Sequence, residues 1–221
     1  MFDRITPMVK NLLIINIGVQ ILMMLTGNGI IYKFFAFYTP IIPSEGFVLN
    51  PSFKIWQVIT YMFIHSYENW GHLISNMFGL FIFGSALETF MGSKKFLIYY
   101  LVCGIGAALI NSVINVYELN SISSDVLALK ESAEIPMVGA SGAIFGILMA
   151  FGFLFPNVEM MLLFFPFPIK AKYFVAMYGV YELVQGTAGL QSGIAHFAHL
   201  GGLLTGFILL KFFGFSKRNY Y

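Results

Sequence analysis

One serine of this sequence lies in a setting that suits a nucleophile. Ser141 belongs to the segment Gly139-Ala140-Ser141-Gly142, which opens an apolar run. The two glycines permit a tight turn and the close approach of a substrate backbone to the start of a helix. At that position the free N–H groups and the positive end of the helix dipole can stabilise an oxyanion. Taken alone, the motif more often marks an N-cap serine among small packing residues.

A serine nucleophile needs a general base, and histidine is the usual one. An ionisable side chain inside a membrane is costly, which makes it a functional candidate rather than an ordinary core residue. The chain has four histidines, all in or near apolar segments: His65, His72, His196 and His199. We assign no role to His65.

His199 is the histidine best placed to act as the base. It shares one face of the sixth apolar run with Gly202 and Gly206, at i+3 and i+7. A similar small-residue face starts at Gly142, on the helix that Ser141 opens, so the two helices can approach closely. The pattern predicts contact between Ser141 and His199. The alternative is close packing alone, with His199 bonded to a carbonyl group.

The other polar residues of the apolar runs complete this picture without a metal. His196 is a rival base, but it lies farther from the glycine face. A His196-x-x-His199 pair could bind a metal, yet there is no His-Glu-x-x-His motif, and no acid is near enough in sequence. Neither Glu88 nor Glu182 is predicted to join the catalytic residues. We therefore expect a Ser–His dyad with no metal and no organic cofactor.

His72 and Asn76 form a further polar pair on the second apolar run. They are four residues apart, so they lie on one face of a helix near its outer end. Both can donate hydrogen bonds into the same pocket, which suits an oxyanion hole. A polar clasp between two helices fits this spacing equally well.

The composition predicts a membrane protein. Of 221 residues, 58% are hydrophobic and 10% are charged, against roughly 25% charged in an average soluble domain. The single cysteine, Cys103, excludes a disulfide framework within the chain. The basic residues form no stripe with interleaved aromatic residues, so nucleic acid is excluded as a partner. The lipid bilayer is the expected surrounding.

Apolar runs predict one membrane domain over residues 1–221, with six spanning helices. The predicted spans are residues 9–26, 71–91, 96–116, 141–155, 172–188 and 193–213. The basic residues that fall on one side of this arrangement are Arg4, Lys10, Lys94, Lys95, Lys170, Lys172, Lys211, Lys217 and Arg218, against Lys33, Lys54 and Lys130 on the other. This asymmetry predicts that both termini are cytoplasmic.

Two segments depart from a plain bundle of spanning helices. The connection over residues 27–70 is apolar but broken by prolines, and its run 55–65 is too short to cross, so we expect it to be partly embedded in the outer leaflet. The fourth helix, residues 141–155, covers about 22 Å of a hydrocarbon core of about 30 Å. Ser141 should therefore lie below the outer surface, in a pocket that water can reach.

Taken together, these residues resemble the rhomboid family of intramembrane serine proteases, of the bacterial type with six transmembrane helices. The resemblance runs from about residue 56 to residue 206. Four separated motifs carry it: Trp56-Gln57, His72-x-x-x-Asn76, Gly139-Ala140-Ser141-Gly142, and Ala198-His199-Leu200-Gly201-Gly202 with Gly206. One motif departs from the family, because the usual Trp-Arg of the first loop is Trp56-Gln57 here.

The resemblance implies an all-α, polytopic, rhomboid-like bundle and assigns roles to the residues. Ser141 is then the nucleophile and His199 the general base. His72, Asn76 and the backbone N–H of Ser141 form the oxyanion hole. Phe145 places an aromatic ring against the catalytic histidine, and the supporting glycines are Gly139, Gly142, Gly202 and Gly206.

The expected function is hydrolysis of peptide bonds in or beside transmembrane segments of other membrane proteins. The expected location is a bacterial inner membrane, with the active site open to the outer side. Substrate access should pass the fifth helix or the loop after it, where Gly186, Gly189 and Gly193 permit motion. Two alternatives stay open: an inactive rhomboid-like protein that binds client proteins, and a small transporter that uses the polar side chains as a pathway. The sequence predicts neither the substrate nor the oligomeric state.

Overall fold

The computed structural model describes residues 5–44, 46–122, 133–162, 165–188 and 196–215, and this part of the chain is mainly helical. Its helices are α1 (Pro7–Thr26), α2 (Asn28–Phe35), α3 (Gln57–Thr60), α4 (Trp70–Met91), α5 (Ser93–Ile122), α6 (Ser141–Leu154), α7 (Ala171–Ala188) and α8 (His196–Phe212). A π-helical turn, Leu80–Gly84, interrupts the regular pattern of α4.

Two short antiparallel hairpins accompany the helices. In the first, β1 (Ile41–Ser44) pairs with β2 (Gly46–Leu49), with Ile41 opposite Leu49. In the second, β3 (Glu159–Leu162) pairs with β4 (Phe165–Lys170) between α6 and α7. Both hairpins connect helices and do not form a sheet layer.

The described helices have the length and composition of a membrane protein. By these two criteria α1, α4 and the segment Ser93–Leu119 of α5 are long and apolar enough to cross a membrane, while α6 and α8 are apolar but shorter. Large apolar side chains are exposed on the outside of the bundle, for example Leu25 and Phe212, as expected for surfaces that face lipid. The chain is an all-α polytopic bundle, as predicted.

The six predicted spans correspond to α1, α4, α5, α6, α7 and α8. Part of the charge pattern behind their predicted orientation falls on Arg4, Lys130, Lys217 and Arg218, which lie outside the described residues. Gly189, Gly193 and the predicted start of the sixth span also lie outside them.

Helix α6 lies at the centre of the bundle, packed against α5 and α8. Its residues are apolar or small on all sides and nearly all buried, which is typical of an enclosed helix. A Cβ atom at Gly202 of α8 would overlap the carbonyl oxygen of Gly142 on α6. A Cβ atom at Gly206 would lie 2.9 Å from the Cα of Gly146. The predicted close approach of these two helices is confirmed.

The connection between α1 and α4 enters the helical bundle, whereas its expected position in the outer leaflet stays a prediction. Tyr61 and Met62 follow α3 in a 3₁₀ turn, and both are fully buried. The hydroxyl of Tyr61 donates a 2.8 Å hydrogen bond to the carbonyl oxygen of Gly104 in the middle of α5. The side chain of Met62 fills the notch that Gly104 leaves. The first loop is therefore anchored inside the helical core.

Gln57, the residue that departs from the family motif, is fully buried and well bonded. Its Oε1 accepts the backbone N–H of Lys54 at 3.0 Å, and its Nε2 donates to the carbonyl oxygen of Ser52 at 3.1 Å. A longer 3.4 Å bond reaches the carbonyl oxygen of Lys33. A neutral amide thus fixes this loop without the charge that arginine would bring.

Glu88 lies near the C-terminal end of α4, and its role is structural. Its carboxylate accepts the backbone N–H groups of Met8 and Val9 at 2.9 and 2.8 Å. These are unpaired donors in the first turn of α1, where a negative charge also suits the helix dipole. Glu88 therefore caps α1, in agreement with its exclusion from the predicted dyad.

Candidate active site

Ser141 is the first residue of α6, and it does not cap that helix. The N-cap is Ala140, and no side chain caps the helix there. Gly139 precedes it with a φ of 115°, a conformation that favours glycine. The sequence left open whether the serine hydroxyl serves as an N-cap, and the structure gives it a different partner.

That partner is His199, in the first turn of α8. Its Nε2 lies 2.7 Å from the Oγ of Ser141. The ring of Phe145 stacks on the imidazole, with a centroid distance of 4.2 Å and an interplanar angle of 4°. Because Phe145 lies one turn after Ser141 on the same helix, α6 supplies both the hydroxyl and the ring that orients its partner. The predicted Ser–His contact is present.

A carboxylate lies on the other side of the same imidazole. Oε2 of Glu182, on α7, is 3.0 Å from Nδ1 of His199. The same oxygen forms a 2.6 Å hydrogen bond with Nδ1 of His196. The contact to His199 has ion-pair length, but its direction is not that of an aligned hydrogen bond. The prediction that neither acid accompanies the serine and histidine is therefore wrong for Glu182.

The fifth and sixth predicted spans meet at this cluster. A Cβ atom at Gly186, one turn after Glu182, would lie 3.2 Å from the Cβ of His196. The absence of a side chain at Gly186 lets α7 lie close to the start of α8. That spacing brings the carboxylate within reach of both histidines, although 14 residues separate it from His196.

His72 faces the serine from α4. The backbone N–H of Ser66 donates to Nδ1 of His72 at 3.3 Å, so a neutral ring carries its proton on Nε2. A Cβ atom at Gly139 would lie 2.7 Å from this Nε2 and 3.8 Å from the Oγ of Ser141. The bare Cα of Gly139 therefore leaves an open space bounded by a hydrogen-bond donor and the serine oxygen.

Asn76 lies one turn after His72 and is mostly buried. Its Nδ2 donates a 2.7 Å bond to the carbonyl oxygen of His72, four residues earlier in the same helix. Its Oδ1 is buried and has no hydrogen-bond partner among the described residues. The bond to His72 uses one N–H of the amide, so the second N–H of Nδ2 can donate to a ligand.

These side chains line one cavity of about 980 Å³. Residues from α4, α5, α6, α7 and α8 and the segment before α6 contribute to it, including Ser141, His199, His72 and Glu182. Its volume lies at the upper end of the range for ligand pockets. It is large enough for an extended peptide segment beside the serine.

The region of the chain that contains these side chains matches a known protein family. The family model described as the rhomboid domain matches residues 52–215, which contain the serine, all four histidines and Glu182. This chain belongs to the rhomboid family.

Individual rhomboid relatives are similar over the same region. Rhomboid protease AarA of Providencia stuartii is 34% identical over 160 residues, covering 70% of this chain and 54% of the relative. The chloroplastic Rhomboid-like protein 11 of Arabidopsis thaliana is 32% identical over 177 residues, covering 73% and 54%. The mitochondrial Rhomboid protein 1 of Saccharomyces cerevisiae is 30% identical over 142 residues, covering 64% and 37%. The chain spans about half the length of the first two relatives.

Glu182 is the residue of this rhomboid site that sequence reasoning missed. Spacing along the chain identifies only acids that are close to the histidines in sequence, whereas Glu182 lies on a different helix from both. One signal was present: Glu182 is an ionisable residue inside an apolar segment, which makes it a functional candidate by default.

The three side chains Glu182, His196 and His199 also have the atom types of a metal site, with ligand atoms within 4.8 Å of one another. Their separations of 2.6 and 3.0 Å are those of nitrogen–oxygen pairs in direct contact. A metal would have to push these atoms apart, because ligands of one ion do not touch each other this closely. We interpret the cluster as one that shares protons.

His65 is buried beside the site. Neither of its ring nitrogens has a hydrogen-bond partner in the part of the chain that the structure describes, and its ring centroid lies 5.2 Å from that of His72. Burial, with a smaller contribution from His72, lowers the pKa of His65 to about 3. The residue is therefore neutral at physiological pH and fills space between the first loop and α4.

Proposed function

We propose that this rhomboid-family protein is an intramembrane serine endopeptidase. It hydrolyses peptide bonds in or next to transmembrane segments of other membrane proteins. The observation that carries the proposal is the 2.7 Å contact between Oγ of Ser141 and Nε2 of His199 at the edge of a large cavity. A hydroxyl within hydrogen-bond reach of an oriented imidazole is the arrangement of an activated serine nucleophile.

The proposed reaction begins when the hydroxyl of Ser141 attacks the carbonyl carbon and its proton moves to Nε2 of His199. The imidazolium then donates that proton to the leaving amine, which releases one fragment and leaves an acyl-enzyme. A water molecule from the cavity then gives a proton to Nε2 and attacks the ester carbonyl. The imidazolium returns this proton to Oγ of Ser141 as the acyl bond breaks, which releases the second fragment as a carboxylic acid and restores the enzyme. No metal or organic cofactor takes part in the proposed reaction.

The tetrahedral oxyanion needs donors that are already in place. The backbone N–H of Ser141 belongs to the first turn of α6, where helical N–H groups have no partner within the helix. The Nε2–H of His72 borders the open space at Gly139. The second N–H of the Asn76 amide adds a third donor, while the first stays bonded to the carbonyl oxygen of His72.

The proposed setting is a membrane crossed by all six helices. With 14 residues, α6 is about 21 Å long, against a hydrocarbon core of about 30 Å. Ser141, at its first residue, would then lie below the surface in a cavity that admits water. The distribution of basic residues supports cytoplasmic termini, with the active site open to the outer side of a bacterial inner membrane.

The test uses the purified full-length protein, a transmembrane reporter substrate and a fluorophosphonate probe. We expect wild-type protein to cleave the reporter and to be labelled at Ser141. Ser141→Ala should abolish both, and His199→Ala should reduce both by at least about a thousandfold. Ser112→Ala is the matched control, because Ser112 is a buried helical serine whose hydroxyl bonds the carbonyl oxygen of Ala108. It should cleave normally.

Three outcomes would contradict the proposal. Reporter cleavage by Ser141→Ala at the wild-type rate would exclude the serine mechanism. Binding of transmembrane segments without cleavage or labelling would favour the inactive, client-binding alternative. Substrate-dependent transport in liposomes, again without labelling, would favour the transporter.

A further inference from the structure

The cluster of Glu182, His196 and His199 joins two helices at the cavity. Glu182 and His196 are buried, with 3% and 5% of their surfaces exposed, and His199 is only slightly more open. A single carboxylate oxygen contacts Nδ1 of both imidazoles. The proposed serine–histidine pair accounts for Nε2 of His199 and leaves this second contact unexplained.

A buried carboxylate is costly unless it has partners that donate hydrogen bonds or carry positive charge. Within the described residues, Glu182 forms its ion pairs with the two histidines. Its position is therefore stable only if imidazole N–H groups point towards it. This condition fixes protons on Nδ1 of the two rings.

We infer that Glu182 is a positioning residue of the active site, and this inference rests on the proposed protease function. Its carboxylate holds the proton of His199 on Nδ1, so that the lone pair of Nε2 faces the hydroxyl of Ser141. When His199 takes the serine proton, the same carboxylate stabilises the positive charge of the imidazolium. Glu182 itself neither gains a proton nor touches the substrate.

The geometry around the His199 imidazole supports a different role for each of its two nitrogen atoms. The serine oxygen lies 2.7 Å from Nε2, and the carboxylate oxygen lies 3.0 Å from Nδ1. Phe145 covers one face of the ring and limits its rotation. A small tilt of the imidazole about this stack aligns Nδ1–H with the carboxylate, and such tightening is common when substrate binds.

The hydrogen bond from His196 keeps the carboxylate in place. At 2.6 Å it is the shorter of the two contacts. His196 lies one turn before His199 on α8, so the two rings lie on the same side of the helix and reach the same oxygen. His196 thus acts on the carboxylate and does not contact the serine.

Other ionisable groups also face this cluster. Tyr178 is one turn before Glu182 on α7, and its ring packs against Phe145. His72 lies across the cavity on α4, and Glu118 lines the same cavity from α5. Removal of the carboxylate leaves all three in place, so a change in the pH profile of a Glu182 variant reports on the carboxylate itself.

The test compares Glu182→Gln with wild type in cleavage of the transmembrane reporter in liposomes. Because the carboxylate acts on His199 and not on the substrate, we expect kcat to fall, by up to about 10⁴-fold if the carboxylate alone fixes the tautomer of the imidazole. KM should change by less than about twofold. The acid limb of the kcat/KM profile should move to lower pH, since the variant lacks the negative charge beside the imidazole.

Controls separate positioning from loss of structure. Glu159→Gln removes the same charge from an exposed residue of β3 and should leave kcat and the pH profile unchanged. Glu182→Asp keeps the charge at a shorter reach and should recover part of kcat. Thermal unfolding and the final extent of fluorophosphonate labelling should match wild type in Glu182→Gln, while its labelling rate falls.

A His196→Gln variant tests the alternative that Glu182 only ties α7 to α8. Glutamine still offers an N–H to the carboxylate, so we expect a smaller fall in kcat than in Glu182→Gln and no shift of the acid limb. Equal losses and equal pH shifts in the two variants would overturn the inference. So would loss of wild-type cleavage in EDTA with recovery in zinc, which would assign the three side chains to a metal.

The remaining outcomes distinguish this inference from the proposed function. If wild-type protein neither cleaves the reporter nor labels at Ser141, the protease proposal itself fails. If wild type does both, and Glu182→Gln equals it in kcat and pH profile, only the role of Glu182 is overturned.

Discussion

Helix α8 is held in two different ways on its two sides. Towards α6 the contact is between backbones, because a Cβ atom at Gly202 would overlap the carbonyl oxygen of Gly142. Towards α7 the notable contacts are polar, from Glu182 to His196 and His199. The backbone contact at Gly202 has no side chain that can adjust, whereas the contacts of Glu182 are made by side chains that can.

This difference separates two requirements of the proposed chemistry. The distance between Ser141 and His199 depends on how closely α6 and α8 pack, which is a matter of volume. The protonation of His199 depends on Glu182, which is a matter of charge. Variants that add volume should therefore affect folding and geometry, and variants that change charge should affect rate and pH dependence.

The largest effect is expected from Gly202→Ala. The added methyl group meets backbone atoms that cannot move aside, so α8 must shift away from α6. We expect a loss of about 3 kcal/mol or more in stability, near the upper limit for overpacked sites, together with loss of cleavage. Unfolding in detergent, followed by intrinsic fluorescence, measures the stability.

The matched control for this substitution is Gly18→Ala on α1, where nothing lies within 4 Å of the added atom. Alanine favours a helix interior by about 1 kcal/mol over glycine, so this variant should be as stable as wild type or slightly more stable. Equal destabilisation at both positions would show that the contact between α6 and α8 is not tight.

A second effect is expected at the space beside the nucleophile. In Gly139→Ala the methyl group would occupy the region between Nε2 of His72 and Oγ of Ser141. It would also strain a residue at a φ of 115°, at a cost of about 1–3 kcal/mol. We expect cleavage to fall by at least about a hundredfold, which corresponds to one lost oxyanion donor.

Gly27→Ala controls for the strain alone, since Gly27 also has a positive φ, of 81°, but open space around it. It should lose stability without a comparable loss of kcat. If both variants cleave equally well, the space at Gly139 does not receive the reacting oxygen.

His65 provides a histidine without polar partners, in contrast to the pair that contacts Glu182. Its pKa of about 3 in the folded protein lies below the unfolded value of about 6.5. The stability that depends on its neutral form is present above pH 6.5 and is lost as the pH falls towards 3. From pH 7 to pH 5 we expect a loss of about 2 kcal/mol from this residue.

His65→Phe should remove most of that dependence while leaving the other histidines in place. Unfolding followed at pH 5 and pH 7 in both proteins gives the difference. An identical pH dependence in the variant would show that His65 is not the source.

The smallest effect is expected from Phe145→Leu. Loss of the stacked ring removes about 1 kcal/mol of aromatic contact and lets His199 rotate more freely. We expect a five- to tenfold lower kcat, about what 1 kcal/mol corresponds to in rate. Phe153→Leu, near the other end of α6, is the control and should keep its activity. An unchanged kcat in Phe145→Leu would remove the ring from the set of orienting residues.

The sequence predicted which side of α8 faces α6, because closely packed helices carry small residues at regular spacing. Gly142, Gly202 and Gly206 recur at helical spacing, and small-residue faces of this kind are typical of helices that pack closely. Ser141 and His199 could be paired for this reason from the sequence alone. The length and prolines of the first loop also predicted that it does not span a membrane, but not its contacts inside the core.

No such spacing identifies the side of α8 that faces α7. Apolar residues occur on all faces of α7, and both Tyr178 and Val180 are exposed on it. The distribution of apolar residues therefore did not predict which face of the helix turns inwards. The position of Glu182 depends on how α7 is rotated and on the notch at Gly186. Both are products of packing between helices, which spacing along one chain does not encode. Gln57 is similar, since its buried bonds depend on the path of the loop.

Glu182 and His199 lie on separate helices, so a movement of one helix can separate the two side chains. If α7 moved outwards by about the width of one water molecule, roughly 3 Å, Oε2 of Glu182 would part from His199. Ser141 and His199 would stay together, because the backbones of α6 and α8 pack closely at their glycines. Under the proposed mechanism, such a displacement would weaken His199 as a base, so the position of α7 would affect the rate of cleavage.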